Sequence, residues 1–176
     1  MELEILHLIQ NLHTDWLDTV MIFLTKLGDK GIIWIALSII LAIIPKTRRC
    51  GLTMMAAMLL SHIVGNKILK PIVARPRPCT VDTGVAMLIA PPSSYSFPSG
   101  HTMNGFTAAA SLFAYYKKPG TAAFILAALI AFSRMYLFVH YPTDILAGVI
   151  LGLVDTWVVW KLAQKLAQHT PFTKSR

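Results

Sequence analysis

The chain has 176 residues, 55% of them hydrophobic and only 14% charged, with a formal net charge of +8 and a mean hydropathy of +0.60. This is too apolar for an ordinary soluble domain and reads as one integral membrane domain over 1–176. The positive charge does not indicate nucleic acid, because the cations flank apolar runs and form no basic stripe on a soluble module.

Glu2 and Glu4 stand where a signal peptide would carry its basic segment, so the first apolar stretch is expected to stay in the mature protein. Residues 1–30 read in two ways. Residues 3–14 joined to 16–27 would make a tilted crossing; split from them they would make an interfacial helix followed by a short span. Apolar runs at 32–44, 52–69, 102–115, 121–139 and 145–162 are helix candidates, most of them near the ~20 residues that cross a bilayer. The fold expected is therefore all-α, a polytopic transmembrane bundle of five to six spans. Its core lies at 31–166, with a cytoplasmic tail at 167–176. Turn and charge signals break the runs at 45–51, 117–120 and the proline-rich stretch 71–98. Cys50 and Cys79 fall at opposite ends of one predicted span, about 30 Å apart. No disulfide between them is expected, neither has metal-ligand spacing, and both read as small apolar fillers.

Lys46, Arg48, Arg49, Lys117, Lys118, Lys161, Lys165, Lys174 and Arg176 collect at one end of the predicted spans, and Lys70, Arg75, Arg77 and Arg134 at the other. By the positive-inside rule the first end is cytoplasmic. The second then faces the periplasm or exterior of what reads as a bacterial inner membrane.

The unusual polar chemistry falls in three blocks at that second end. Pro98-Ser99-Gly100-His101 directly precedes an apolar helix: serine is a good N-cap, glycine admits close backbone approach, and first-turn N–H groups point at an anion. His101 would stand beside that anion as a general acid. Lys70 and Arg77 are separated by six residues stiffened by Pro71 and Pro76, so two cations are aimed at fixed positions, Arg77 with the bidentate fork that suits phosphate. In the third block His140 and Asp144 lie four apart on one helix face, a base with its orienting carboxylate, and Arg134 precedes them by six. Each block alone has a bland alternative: a capped helix with an interfacial histidine, a basic loop held by anionic headgroups, a His–Asp helix cap. Arg75 fits the headgroup alternative better than Arg77 does. Three blocks on one membrane face outweigh these readings.

In order and spacing, Lys70…Arg77-Pro78, Pro98-Ser99-Gly100-His101 and Ser133-Arg134…His140…Asp144 resemble the three-part signature of the type 2 phosphatidic acid phosphatase superfamily. The likeness covers roughly residues 50 to 165. It implies that His140 attacks phosphorus and forms a phosphohistidine, that Asp144 orients it, and that His101 protonates the leaving oxygen. Lys70, Arg77, Arg134 and the Ser99 and Gly100 backbone would hold the phosphoryl oxygens. Three fixed cations could take the part that Mg2+ plays in kinases, so no metal or other cofactor is expected. The partners expected are a lipid phosphate and the bilayer itself, with the oligomeric state left open. Undecaprenyl pyrophosphate, phosphatidylglycerophosphate and phosphatidic acid are the candidate substrates. Phosphotransfer to another hydroxyl is the enzymatic alternative, and a non-catalytic lipid-binding protein or transporter is the alternative of another class.

Two features lie outside the signature. Residues 85–90 are an apolar run too short to span, read equally as a segment dipping into the outer leaflet beside a lipid-tail route or as a lid packed on the bundle. Asp155, eleven residues past Asp144, would sit ~16 Å deeper on nearly the same face. Such a carboxylate needs a partner, for which His62 is the candidate by depth. Gly148 and Gly152 between the aspartates would let a neighbouring helix approach closely.

Overall fold

The structure, a computed structural model, describes residues 1–169. Lys174, Arg176 and most of the expected tail lie outside the described residues, and 167–169 continue the last helix. The described residues are helical with no strand. At the N-terminus α1 (Glu2–Gln10) and α2 (Asp15–Leu27) are separate helices, because Thr14 takes extended backbone and its hydroxyl accepts the Leu17 N–H at 3.3 Å, capping α2. The chain is thus split at Thr14, as the second reading expects, but α2, at 13 residues, is not among the helices long enough to be the short span of that reading. Leu6 on α1 is fully buried in a cluster with Tyr136, Phe138, Val139 and Tyr141. Helix α2 meets two residues of one helix end with its two halves: the Tyr136 hydroxyl donates to Asp18 at 2.5 Å and Arg134 bonds the Thr25 hydroxyl. It therefore lies across that end and does not run alongside it.

The chain next turns through Asp29–Gly31, where Lys30 and Gly31 both take positive φ (52° and 69°), into α3 (Ile32–Ile43). A Cβ on Gly31 would meet the Asn104 side chain at 2.8 Å, so this turn needs glycine for both its φ and its closeness to the neighbouring helix. Helix α4 (Arg48–Ser61) widens into π-helical turns over His62–Leu69 and ends as α5 (Lys70–Val73), stopped by left-handed Ala74. The short α6 (Pro78–Val81) leads into the long loop. Then come α7 (Gly100–Tyr115), α8 (Lys117–Tyr136) and α9 (Pro142–His169).

Helix α7 is the centre of the bundle. Cβ atoms on Gly148 and Gly152 would sit 2.9 Å from the Ser99 and Met103 carbonyl oxygens, respectively, so these glycines bring the α9 backbone onto α7, as the sequence suggests. At one end of the bundle the Tyr116 hydroxyl donates to the Lys46 carbonyl at 3.1 Å; the Asp29 turn, the 94–104 segment and the 134–144 turn gather at the other. Among the described residues, three helical stretches are long and apolar enough to cross a membrane, Arg48–Val81, Lys117–Tyr136 and Pro142–Gln168.

Asp155 is buried, and its partner is Ser61, whose hydroxyl donates at 2.7 Å and lies 2.9 Å from the Thr107 hydroxyl. Depth picks the right turn of the neighbouring helix but not the side of it: His62, one residue on, faces the other way and contacts Asn66 at 3.3 Å. In the 85–90 run Val85, Met87 and Ile89 pack on the Leu6 cluster while Leu88 points outward, so this segment is a lid on the bundle. Cys50 and Cys79 are both free and buried.

Gly152→Val should cost about 1–3 kcal/mol by forcing α7 and α9 apart, read as a lowered Tm in detergent. A wild-type Tm would show that the two backbones do not meet there.

Candidate active site

At the end where the 94–104 and 134–144 segments gather lies a cavity of about 570 Å³. Six of the eight expected site residues line it: Lys70, Arg77, Gly100, His101, Arg134 and His140. The other two stand behind them. Asp144 backs His140. Ser99 backs Gly100, with its hydroxyl bonded to that of Thr102 at 2.9 Å and its backbone N–H donated to the Asp144 carbonyl at 3.1 Å. Ser99 thus ties the second block to the third, and its N–H is occupied within the fold.

Lys70 and Arg77 are fixed by carbonyl oxygens. Lys70 Nζ donates to Tyr95 O (3.0 Å) and Pro98 O (2.9 Å). Arg77 Nε donates to Ser94 O (2.7 Å), Nη2 to Tyr95 O and Ser94 Oγ (3.1 Å each), and Nη1 to Val139 O (2.7 Å). Arg134 is 3% exposed and bonds the Thr25 hydroxyl, but its Nε is buried with no hydrogen-bond partner among the described residues. A buried charged donor without a partner is costly unless an anion takes it.

His140 is 2% exposed. Its Nε2 lies 3.1 Å from Arg77 Nη1. Because a guanidinium can only donate, Nε2 must be the unprotonated nitrogen. The proton then sits on Nδ1, which faces Asp144 Oδ2 and Ser96 Oγ, each at 3.4 Å. Burial, with the Arg77 and Arg134 charges adding and Asp144 opposing, pushes the His140 pKa down to about 3. The imidazole is neutral at neutral pH, with its lone pair on the cavity side. Asp144 is held by the Tyr141 N–H (2.9 Å), the Ser96 hydroxyl and Arg75 Nη1 (2.9 Å). Arg75 is therefore not a headgroup-binding loop residue: it bonds Asp144, stacks over the Tyr141 ring at 3.8 Å and pairs with Glu2 at 2.5 Å.

His101 has a carboxylate of its own. Its Nε2 lies 3.0 Å from Asp29 Oδ1, and a Cβ on Gly28 would sit 2.8 Å from its ring. Sequence reasoning missed Asp29, Ser96 and Arg75 as site residues, and with them Lys26, Lys30, His62 and Asn66, which also line the cavity. The only local signal was the turn pattern Gly28-Asp29-Lys30-Gly31, which marks a tight turn without saying what it faces.

The sequence profile described as the PAP2 superfamily matches residues 50–168. An undecaprenyl-diphosphatase from Sulfolobus acidocaldarius is 32% identical over 143 residues, which is 81% of this chain and 67% of that protein. In two further sequence relatives the match spans 48% and 60% of their length. The crystal structure of Aquifex aeolicus LpxE superimposes with a TM-score of 0.80 at 30% identity, covering 91% of this chain and 94% of that one. The crystal structure of a PAP2-type phosphatidylglycerolphosphate phosphatase from Bacillus subtilis does so with a TM-score of 0.75 at 30% identity, covering 96% and 86%. A profile match over most of the length, together with one shared fold, means that the chain belongs to the PAP2 superfamily, and the enzyme class it shares with these relatives is phosphatase.

Proposed function

We propose that this protein is a membrane lipid phosphatase that works through a phosphohistidine at His140. The observation that carries this is the neutral imidazole with Nε2 turned to a cation-lined cavity and Nδ1 turned to a carboxylate. A phosphoryl group entering the cavity takes Arg77 as its own partner and frees Nε2. The nitrogen lone pair forms the N–P bond while the P–O bond to the leaving group breaks, and His101 delivers the proton to that oxygen. Asp144 stabilises the charge that develops on the His140 ring, and Asp29 holds His101 in register. Water then attacks phosphorus with His101 as base, the N–P bond breaks and phosphate leaves. Lys70, Arg77 and Arg134 neutralise the equatorial oxygens throughout, a task that calls for no metal.

The lipid side of the reading rests on a second cavity of about 260 Å³ between α3 and α4. It is lined by Ile35, Ser38, Met55, Met58, Leu59 and Asn104 and shares His62 with the catalytic cavity. An apolar tail lying there brings its headgroup to His140, which makes this groove a better access route than 85–90. We read five crossings, α3, α4–α5, α7, α8 and α9, in a single domain, with α1 and α2 along the outer interface. We take the catalytic end as non-cytoplasmic, because the exposed cations gather at the other, Lys46, Arg48, Arg49, Lys117, Lys118, Lys161 and Lys165, against Lys26, Lys30 and Lys67 at the catalytic end.

Phosphate release from a panel of lipid phosphates should persist in EDTA. It should fall at least about 10³-fold in His140→Ala and about 10²- to 10⁴-fold in His101→Ala, with melting unchanged. Turnover that survives His140→Ala would contradict the reading.

The buried neutral His140 also sets a pH dependence. Its folded pKa lies below 6.5, so the unfolded chain takes up the proton first, and stability is lost as pH falls from 6.5 towards 3. Compared with His140→Gln, the wild type should lose stability below pH 6.5 with an extra slope approaching about 1.4 kcal/mol per pH unit. Parallel curves in detergent melts would mean that the ring is solvated.

A further inference from the structure

We infer that the cavity contains a second phosphate subsite, formed by Lys26 and Lys30, and that the substrate class is a lipid diphosphate. This rests on the phosphatase reading above. Among the described residues, five cations line the cavity, Lys26, Lys30, Lys70, Arg77 and Arg134, against one carboxylate, Asp29, which is already paired with His101. A phosphomonoester brings roughly two negative charges, which Lys70, Arg77 and Arg134 already outnumber. Lys26 and Lys30 are surplus to it.

Their position assigns them a part. Lys26 lies in the last turn of α2 and Lys30 in the Asp29–Gly31 turn, on either side in sequence of the carboxylate that holds His101. They therefore stand on the side of the general acid, where the leaving group departs, and not beside the nucleophile. In a diphosphate, His140 Nε2 attacks the terminal phosphorus and the bond from that phosphorus to the bridging oxygen breaks. The electron pair goes to the bridging oxygen, which becomes an oxygen of the departing lipid monophosphate. That leaving group carries its own phosphate charge, and Lys26 and Lys30 neutralise it as it grows. A monoester releases a lipid hydroxyl, which has no such charge and leaves the two lysines without a task.

The test compares Lys26→Gln, Lys30→Gln and the double variant on a short prenyl diphosphate and on the matching prenyl monophosphate, at fixed ionic strength. The double variant should lose at least tenfold in kcat/KM on the diphosphate and no more than about threefold on the monophosphate, and Lys→Arg replacements should restore most of the loss. Equal losses on both substrates, or none, would overturn the subsite. Thermal stabilisation by inorganic pyrophosphate, stronger than by phosphate and lost in the double variant, reports the subsite without turnover. A wild type that turned over neither substrate yet showed this stabilisation would leave the subsite standing and defeat the phosphatase reading.

A different set of contacts makes Glu2 a positioning residue that acts through Arg75, the structure assigning it to Asp144 from across the chain. Glu2 Oε2 holds Arg75 Nη2 at 2.5 Å, while Glu2 Oε1 accepts from the Thr143 N–H (3.1 Å) and hydroxyl (2.7 Å). Arg75 Nη1 spans the Thr143 hydroxyl (2.7 Å) and Asp144 Oδ1 (2.9 Å). The carboxylate that orients His140 is thus itself oriented by a cation anchored on α1. Glu2→Gln should lower kcat three- to tenfold with KM nearly constant, and Arg75→Gln more, with Arg75→Lys recovering part of the loss. The Glu2→Gln/Arg75→Gln pair should be no worse than Arg75→Gln alone. Additive losses, or a fall in Tm that accounts for the lost activity, would overturn this role.

Discussion

Arg77 is the joint on which the site depends. One guanidinium binds Ser94 and Tyr95 of the long loop, Val139 of the turn before α9, and the Nε2 of His140. These segments come from distant parts of the sequence, and none is held in place by helix packing alone. Carbonyl oxygens at fixed distances aim the cation without cancelling its charge, and the N–H now facing His140 Nε2 is the one that a phosphoryl oxygen would take in the proposed reaction. Lys70 is held the same way by Tyr95 and Pro98. Between α6 and α7 the chain is not helical, which leaves the Ser94, Tyr95 and Pro98 carbonyl oxygens to these two cations.

The apolar bundle serves that joint. Gly148 and Gly152 let α9 close on α7, which brings Asp144 under Ser99 and so joins the second block to the third. The same burial that makes the bundle stable keeps His140 neutral. A buried imidazole is a usable nucleophile only if a carboxylate waits on its far side to receive the positive charge formed on attack. Asp144 occupies that place, and its other contacts keep it there.

Much of this was legible in the residues. Apolar runs mark the main helices because lipid-facing and core-facing positions are both apolar, and the three blocks are visible because polar side chains are rare in such a chain. What was not legible was anything decided by azimuth or by contacts across the chain. The Asp155 partner was sought by depth, which fixes the height of a residue but not its side, and Ser61 was passed over for His62. Arg75 looked like a headgroup ligand because its partners, Glu2 and Asp144, are far away in sequence. Asp29 carries no motif, and only the fold sets it under His101. The Thr14 cap that divides α1 from α2 was present in the sequence, but the apolar residues on both sides obscured it.

The central claim is that His140 carries the phosphoryl group during turnover, and trapping that adduct tests it most directly. After rapid quench at alkaline pH with a phosphate-labelled lipid substrate, an acid-labile label should appear on the peptide that contains His140, attached at Nε2, and should be absent in His140→Ala. Label on His101 or on any other residue, or turnover with inversion of configuration at phosphorus and no trapped adduct, would contradict the account.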